Sequence, residues 1–323
     1  MPGKWFDYAA ESMTHALVAA LAMEALLRAW RARSPDDRLV LRLVGLVQPL
    51  LVTPALFLFV PQRVGDEFRD RYAIFSARHW EEVSLRGVTA FQAGVVLLAL
   101  LGTALFLMDL MPLLRAGSRS LPAPAPAPPE LAGLVAELSA ARRLRPPGIR
   151  FVEGPAPVLF CAGVRAPALV VSRGALALLD ADELRSALSH ELAHLTRHDP
   201  ATSWIMMCVR AVLFFNPVAQ VVARALARDA EWRADEGAGG DRLALASAVL
   251  KLYRTGVRRR PAAGRTLPFA AVLGEPLRRV RSHDVEARCR RLLEPAPPAR
   301  LPLRRLRVAL AAACLVALAT VVT

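Results

Sequence analysis

Residues 180–194 read Asp-Ala-Asp-Glu-Leu-Arg-Ser-Ala-Leu-Ser-His-Glu-Leu-Ala-His, and the rest of the chain is best read outward from them. Asp180 followed three residues later by Glu183 is a helix-starting signature, in which each side chain reaches the other's backbone N–H. Leu184, Ala187, Leu188, Glu191 and Leu195 then recur at helical spacing. On such a helix His190 and His194 lie one turn apart on one face, so two imidazole nitrogens reach a single metal about 2.0 to 2.1 Å away. Glu191 sits beside them, placed to take a proton from a water activated by zinc. The pattern predicts a hydrolytic zinc site with Glu191 as its catalytic base.

Two histidines leave a catalytic zinc one protein ligand short. Asn216-Pro217 reads as an N-cap with proline at the first helical position, and the helix it opens carries Glu231 and Asp235 at i, i+4. Taken alone, those carboxylates read as a solvated acidic face. Beside His190 and His194 they read as a ligand, Glu231, and an orienting partner for a ligand histidine, Asp235. His198 extends the motif to HExxHxxxH, but it follows His194 by four residues, and the three-histidine zinc motif needs six with a glycine between. It is read as a surface residue.

Of the 323 residues 54% are apolar and 22% charged, and the mean hydropathy of +0.34 exceeds what a soluble domain needs. Residues 87–108 contain no charge and are long enough to cross about 30 Å of hydrocarbon as a helix. Residues 43–62 form a second such run despite Pro49 and Pro54. Residues 14–30 form a third, with Glu24 facing a helix bundle, and 308–323 a shorter fourth. The formal charge of +14 comes almost wholly from arginine, lysine occurring only at 4 and 251, which fits GC-rich coding bias. Direct nucleic-acid binding is therefore not expected. Cys161, Cys208, Cys289 and Cys314 show neither a CxxC pair nor a disulfide spacing and read as small apolar fillers. His15 and His79, in or near the membrane portion, read as structural. No cleaved signal peptide is expected, because Asp7 and Glu11 interrupt the first residues.

These runs predict a mainly α protein with a small β-sheet. The expected layout is a membrane domain over 1–115 with three transmembrane helices, a proline-rich linker over 116–130, a zinc metallopeptidase domain over 131–303 and a C-terminal transmembrane helix over 304–323. Ser120 to Glu130, with proline at alternate positions, reads as an extended spacer that packs no core. After it come a helix over 131–144 and short strands over 149–153, 158–161 and 168–172. Arg31, Arg33 and Arg38 crowd the loop after the first run, whereas the 63–86 loop balances its arginines with acids. The arginine bias places the first loop and the metallopeptidase domain in the cytoplasm, and the chain in the inner membrane as a multi-pass protein.

The segments LFCAGVRAPALVVSRG (159–174), SALSHELAHLTRHDP (186–200), FFNPV (214–218) and RDAEWRADEGA (228–238) resemble the membrane-embedded sensor and signal-transducer metallopeptidases typified by bacterial β-lactam antibiotic receptors. The resemblance implies a gluzincin-like α+β zinc protease domain in which His190, His194 and Glu231 bind zinc and Glu191 is the base. It implies that Asp235 is the aspartate of the ExxxD motif and that the 167–172 strand lies beside the substrate cleft. It also implies protein or peptide substrates, among them a cytoplasmic transcriptional repressor or the chain itself, and contact with membrane lipid. The receptors' external penicillin-binding domain has no counterpart up to Thr323, so antibiotic sensing is not expected to carry over. The heat-shock and prenyl-protein membrane proteases share HExxH and ExxxD, and their later His-Pro segment is similar to Ser282–Arg288, which lacks the proline and is one residue shorter. That likeness offers His283 or Arg288 as a transition-state donor, against a plain reading as an exposed basic helix, and keeps a quality-control protease open as the alternative. A non-catalytic membrane receptor is the remaining one, though it would have no need of Glu191.

The orientation is testable with topology reporters. A fusion after Ser120 should report as cytoplasmic and one near Phe75 as external; the opposite pattern would place the metallopeptidase domain on the other side of the membrane.

Overall fold

The computed structural model describes residues 2–59, 84–85, 88–117, 124–162, 167–196, 199–258, 282–294 and 302–321. Most of the 63–86 loop, His79, His198 and the side chain of His283 lie outside them. In chain order come α1 (Pro2–Ala29), α2 (Pro35–Phe59), β1 (Ser84–Leu85), β2 (Val88–Thr89), α3 (Ala90–Gly117), β3 (Pro124–Ala125) and α4 (Pro129–Ala141). Next are β4 (Gly148–Val152), β5 (Leu159–Ala162), β6 (Ala168–Ser172), α5 (Arg173–Leu178), α6 (Ala181–Thr196) and α7 (Asp199–Val212). The last are α8 (Pro217–Ala238), α9 (Arg242–Arg258), α10 (Ser282–Leu293) and α11 (Arg304–Val321). The protein is mostly helical with a small mixed sheet, as its sequence predicts.

The residues divide into two compact units. The first comprises Met1–Met108, Cys208–Asp229 and Pro298–Thr323. Among the described residues three helical stretches are long and apolar enough to cross a membrane: Tyr8–Ala29, Pro35–Ala55 and Ala90–Met111. Helix α11 opens with Arg304, Arg305 and Arg307 and is not among them, yet its Ala311 and Leu315 pack with Ala19, Met23, Leu27 and Leu41 of α1 and α2. Several polar groups inside this unit are paired. His15 Nδ1 stands 2.8 Å from Thr53 Oγ1, and Glu24, the acid inside the first run, meets Arg42 at 2.6 Å. Arg42 and Arg38 in turn hold the fully buried Asp229 at 2.6 and 3.2 Å.

Residues 208–229, which fall inside the expected 131–303 domain, pack within the first unit. The cause is composition: between Cys208 and Ala223 the only charged side chain is Arg210, and it is buried.

The second unit comprises Asp109–Met207 and Ala230–Pro297. Its four-stranded sheet has the order β3-β4-β6-β5, with β4 and β6 parallel and the outer pairs antiparallel. The supposed spacer enters this sheet, since Pro124 and Ala125 pair with Val152 and Phe151. Proline is tolerated on an edge strand, where its missing donor faces away from the ladder. Leu169 and Val171 face one side and join Leu131, Val135 and Leu138 of α4 and Leu188 and Leu192 of α6 in the main core; Val170 faces the other side with Val152 and Phe160. All four cysteines are free thiols, Cys161 buried in this core and Cys208 and Cys314 exposed.

Helix α6 begins as the sequence predicts. The Glu183 N–H donates to Asp180 Oδ1 at 2.9 Å, and the Asp180 N–H to Glu183 Oε2 at 3.0 Å. Glu183 is buried and also accepts from Ser247 Oγ and Lys251 Nζ of α9, both at 2.6 Å. Burial pushes its carboxyl up, but these bonds outweigh it and hold the pKa at about 2. Because the folded pKa is depressed, the stabilisation is complete above about pH 4.5 and is lost as pH falls towards about 2. Glu183→Gln should therefore lower the unfolding free energy by about 2 kcal/mol at neutral pH and flatten the acid dependence in that window, as measured by denaturation of the detergent-solubilised protein.

Candidate metal centre

Helix α6 sets Leu188 and Leu192 into the sheet core, and this fixes where its other side points. His190, Glu191 and His194 are all buried, at 5%, 5% and 7% exposure. Helix α8 brings Glu231 to the same place. Together His190, His194 and Glu231 are the group, among the described residues, whose ligand atoms could hold a metal. The two histidine Nε2 atoms face each other at 3.2 Å, and Glu231 Oε2 and Oε1 stand 3.5 and 3.7 Å from those of His190 and His194. Ligands about 2.0 to 2.1 Å from a tetrahedral zinc lie about 3.3 Å from one another, so the three positions fit a zinc ion. Two neutral imidazoles and one carboxylate also suit that metal chemically.

Asp235, one turn beyond Glu231, lies 2.9 Å from His190 Nδ1. With a metal on the ligand cluster, this contact would set the ring proton on Nδ1, towards Asp235, and leave Nε2 as the ligand atom. Burial disfavours the His190 imidazolium, but Asp235 and Glu231 outweigh it and raise its pKa to about 9, against the charge of Arg288. Asp235 shows the reverse balance: burial raises its carboxyl pKa, but Arg288 and His190 bring it below the ordinary value.

Arg288 of α10, weighed from the sequence against a plain exposed helix, is buried in the site. Its Nε and Nη2 donate to Asp235 Oδ2 and Oδ1 at 3.0 and 2.6 Å, and Nη1 stands 2.9 Å from Glu231 Oε2. The guanidinium fork thus ties the ligand carboxylate to the histidine's partner. Helix α10 is itself anchored, since Arg242 of α9 donates to Leu292 O and Arg291 O, and Arg291 pairs with Glu236 and stacks over Trp232. Gly239 and Gly240, with φ of 65° and 73°, end α8 just beyond Asp235 in the left-handed region that glycine adopts without strain.

Glu191 Oε2 accepts a 3.0 Å hydrogen bond from the Cys161 N–H of β5. The sequence resemblance assigned the strand beside the cleft to 167–172. In the sheet that strand, β6, is interior and flanked by β4 and β5, and β5 at the end of the sheet touches Glu191. Nothing in the side-chain pattern marks a backbone amide for this role, so it is invisible in the sequence. Arg288 left only the faint HDVEAR signal.

Residues 136–241 match the BlaR1 peptidase M56 family. Similar curated proteins are a protease HtpX homolog of Pseudarthrobacter chlorophenolicus, 35% identical over 160 residues, and one of Methylibium petroleiphilum, 31% identical over 162. Each alignment takes in 39% of this chain, and the chain spans 55% and 57% of the length of the two relatives. A third protease HtpX homolog, from an Arthrobacter species, is 33% identical over 160 residues.

Metal analysis of the purified protein should find one zinc per chain and almost none in a His190→Ala, His194→Ala double variant. Arg288→Ala should keep the fold but weaken zinc retention about 10- to 100-fold against a chelator, because Glu231 and Asp235 lose the group that aligns them. Zinc affinity equal to wild type would show that Arg288 does not position the ligands.

Proposed function

We propose that this chain is a membrane-integral zinc endopeptidase that hydrolyses peptide bonds of a cytoplasmic or membrane-adjacent protein. The observation that carries the reading is the ligand cluster of His190, His194 and Glu231 with Glu191 on the next position of the same helix. A zinc ion there supplies Lewis acidity towards the scissile carbonyl and lowers the pKa of water towards about 7. Glu191 takes the proton at its carboxylate and passes it to the leaving amine, while the Cys161 N–H orients that carboxylate through Oε2. Asp235 keeps His190 in its ligand tautomer, and Arg288 holds Glu231 and Asp235 in register. The substrate strand pairs with β5 at the end of the sheet, beside Glu191.

The resemblance to sensor-transducer peptidases and the match to the BlaR1 peptidase M56 family support a signalling role, with a cytoplasmic transcriptional repressor or the chain itself as substrate. The multi-pass inner-membrane placement, with the second unit facing the cytoplasm, rests on the arginine asymmetry and the three apolar helices. The similarity to protease HtpX homologs favours the second reading, a membrane quality-control protease.

Glu191→Gln separates enzyme from receptor. The variant keeps the three ligands, so zinc content should stay near wild type while cleavage of a partner or of the chain falls about 100-fold to 10,000-fold. Wild-type cleavage in the variant would remove Glu191 from the role of base; full signalling with no cleavage in either form would establish the receptor.

A further inference from the structure

The segment from Cys208 to Asp229 is built inside out. Arg210, Asn216 and Gln220 are buried at 2%, 0% and 0% exposure, while Val212, Phe214 and Val221 stand open at 54%, 44% and 56%. The buried polar groups satisfy one another and the turn. Arg210 Nε donates to Gln220 Oε1 at 3.0 Å, and Gln220 Nε2 donates to Arg210 O and Leu213 O at 3.2 and 3.0 Å. Asn216 Oδ1 caps α8 by accepting from the Ala219 N–H at 3.1 Å. A hairpin meant for water would show the opposite polarity. Irregular backbone is tolerated at membrane depth when its polar groups are met by protein in this way.

Its neighbours give the depth. Asn216 Nδ2 donates to Ser12 O of α1 at 3.0 Å, and thirteen residues later Asp229 joins the Arg42 that also holds Glu24 of α1. Ser12 and Glu24 are twelve residues apart, so at about 1.5 Å per residue the two helices run side by side for about 18 to 20 Å. That stretch of α1 lies within the span Tyr8–Ala29. On another side, a Cβ added at Gly102 would stand 2.2 Å from Phe215 O, so the turn rests on the backbone of α3. Gly102 is nine residues, about 14 Å, inside the Met111 end of the span Ala90–Met111. The exposed Val96, Leu97, Leu100 and Leu101 of α3 make the same kind of surface around it.

We propose that residues 208–229 form a re-entrant hairpin whose tip, Phe214–Asn216, lies within the bilayer, with Val212, Phe214 and Val221 against lipid acyl chains. The chain enters with the end of α7, turns at Leu213–Asn216 and leaves along α8 without crossing.

Site-directed spin labelling of the full-length protein in phosphatidylcholine and phosphatidylglycerol vesicles tests this. A nitroxide goes on Cys208, which is native and exposed, on Phe214→Cys or on Val221→Cys, with the remaining cysteines replaced by alanine. Leu97→Cys in α3 and Leu243→Cys in α9 serve as references for lipid and for water. Labels at 214 and 221 should collide with oxygen in preference to the water-soluble nickel complex, with a ratio near that at 97 and several-fold above that at 243. The ratio at 214 should exceed the one at 208. Collision with the nickel complex at 214 and 221 as at 243 would overturn the proposal. So would shielding from both reagents, which would put a protein partner on this face. Cys208 is labelled without substituting the site, so misfolding of either cysteine variant leaves its label to decide between water and lipid.

Discussion

Asp235 takes an imidazole on one side and a guanidinium on the other, and much of the second unit can be understood as the means of keeping those three groups together. A buried carboxylate is costly unless it is paired and hydrogen-bonded, and here the pairing is with His190 at 2.9 Å and Arg288 at 2.6 Å. Each partner comes from a different helix, so α6, α8 and α10 must meet at one point. Leu188 and Leu192 seat α6 on the sheet, while Leu245, Ala246 and Leu292 lock α10 to α9. Removing Asp235 would release two helices from the third as well as a proton acceptor from His190.

The first unit meets the same demand with different means. Asp229 is fully buried between two arginines of α2, and Glu24, an acid in the middle of an apolar run, is matched by Arg42. In a low-dielectric setting each of these charges would be expensive alone. Linked, they align α1, α2 and α8 at one level, and Asn216 with Ser12 aligns two of them again at another.

The sequence was most legible where local chemistry and periodicity coincide. The Asp180–Glu183 capping box, the Asn216-Pro217 helix start and the strands at 148–152, 159–162 and 168–172 fall where pattern places them, because each is decided by residues close in the chain. His190, His194 and Glu231 converge because two helical spacings, four within α6 and four between Glu231 and Asp235, leave few other ways to use those side chains. What escaped reading depends on distant backbone. The Cys161 amide has no side-chain signature, the order of β5 and β6 is set by the whole sheet, and Pro124–Ala125 join it because an extended proline segment meets an unpaired strand. Residues 208–229 escaped for another reason: ten or so apolar residues on either side of a turn are too short for a span, and periodicity alone cannot tell a buried helix from a lipid-facing one.

Lys251 is the only lysine of the second unit, and its ammonium is spent on Glu183 at the start of the helix that carries His190 and His194. In a chain whose other cations are nearly all guanidinium groups, an amine-directed acylating reagent finds almost nothing else to modify. Its hydrogen bond and ion pair with Glu183 blunt the nucleophilicity of that amine as long as α6 is properly begun. Its acylation rate is thus a one-residue chemical footprint of the helix start, legible by mass spectrometry against a background that arginine keeps silent.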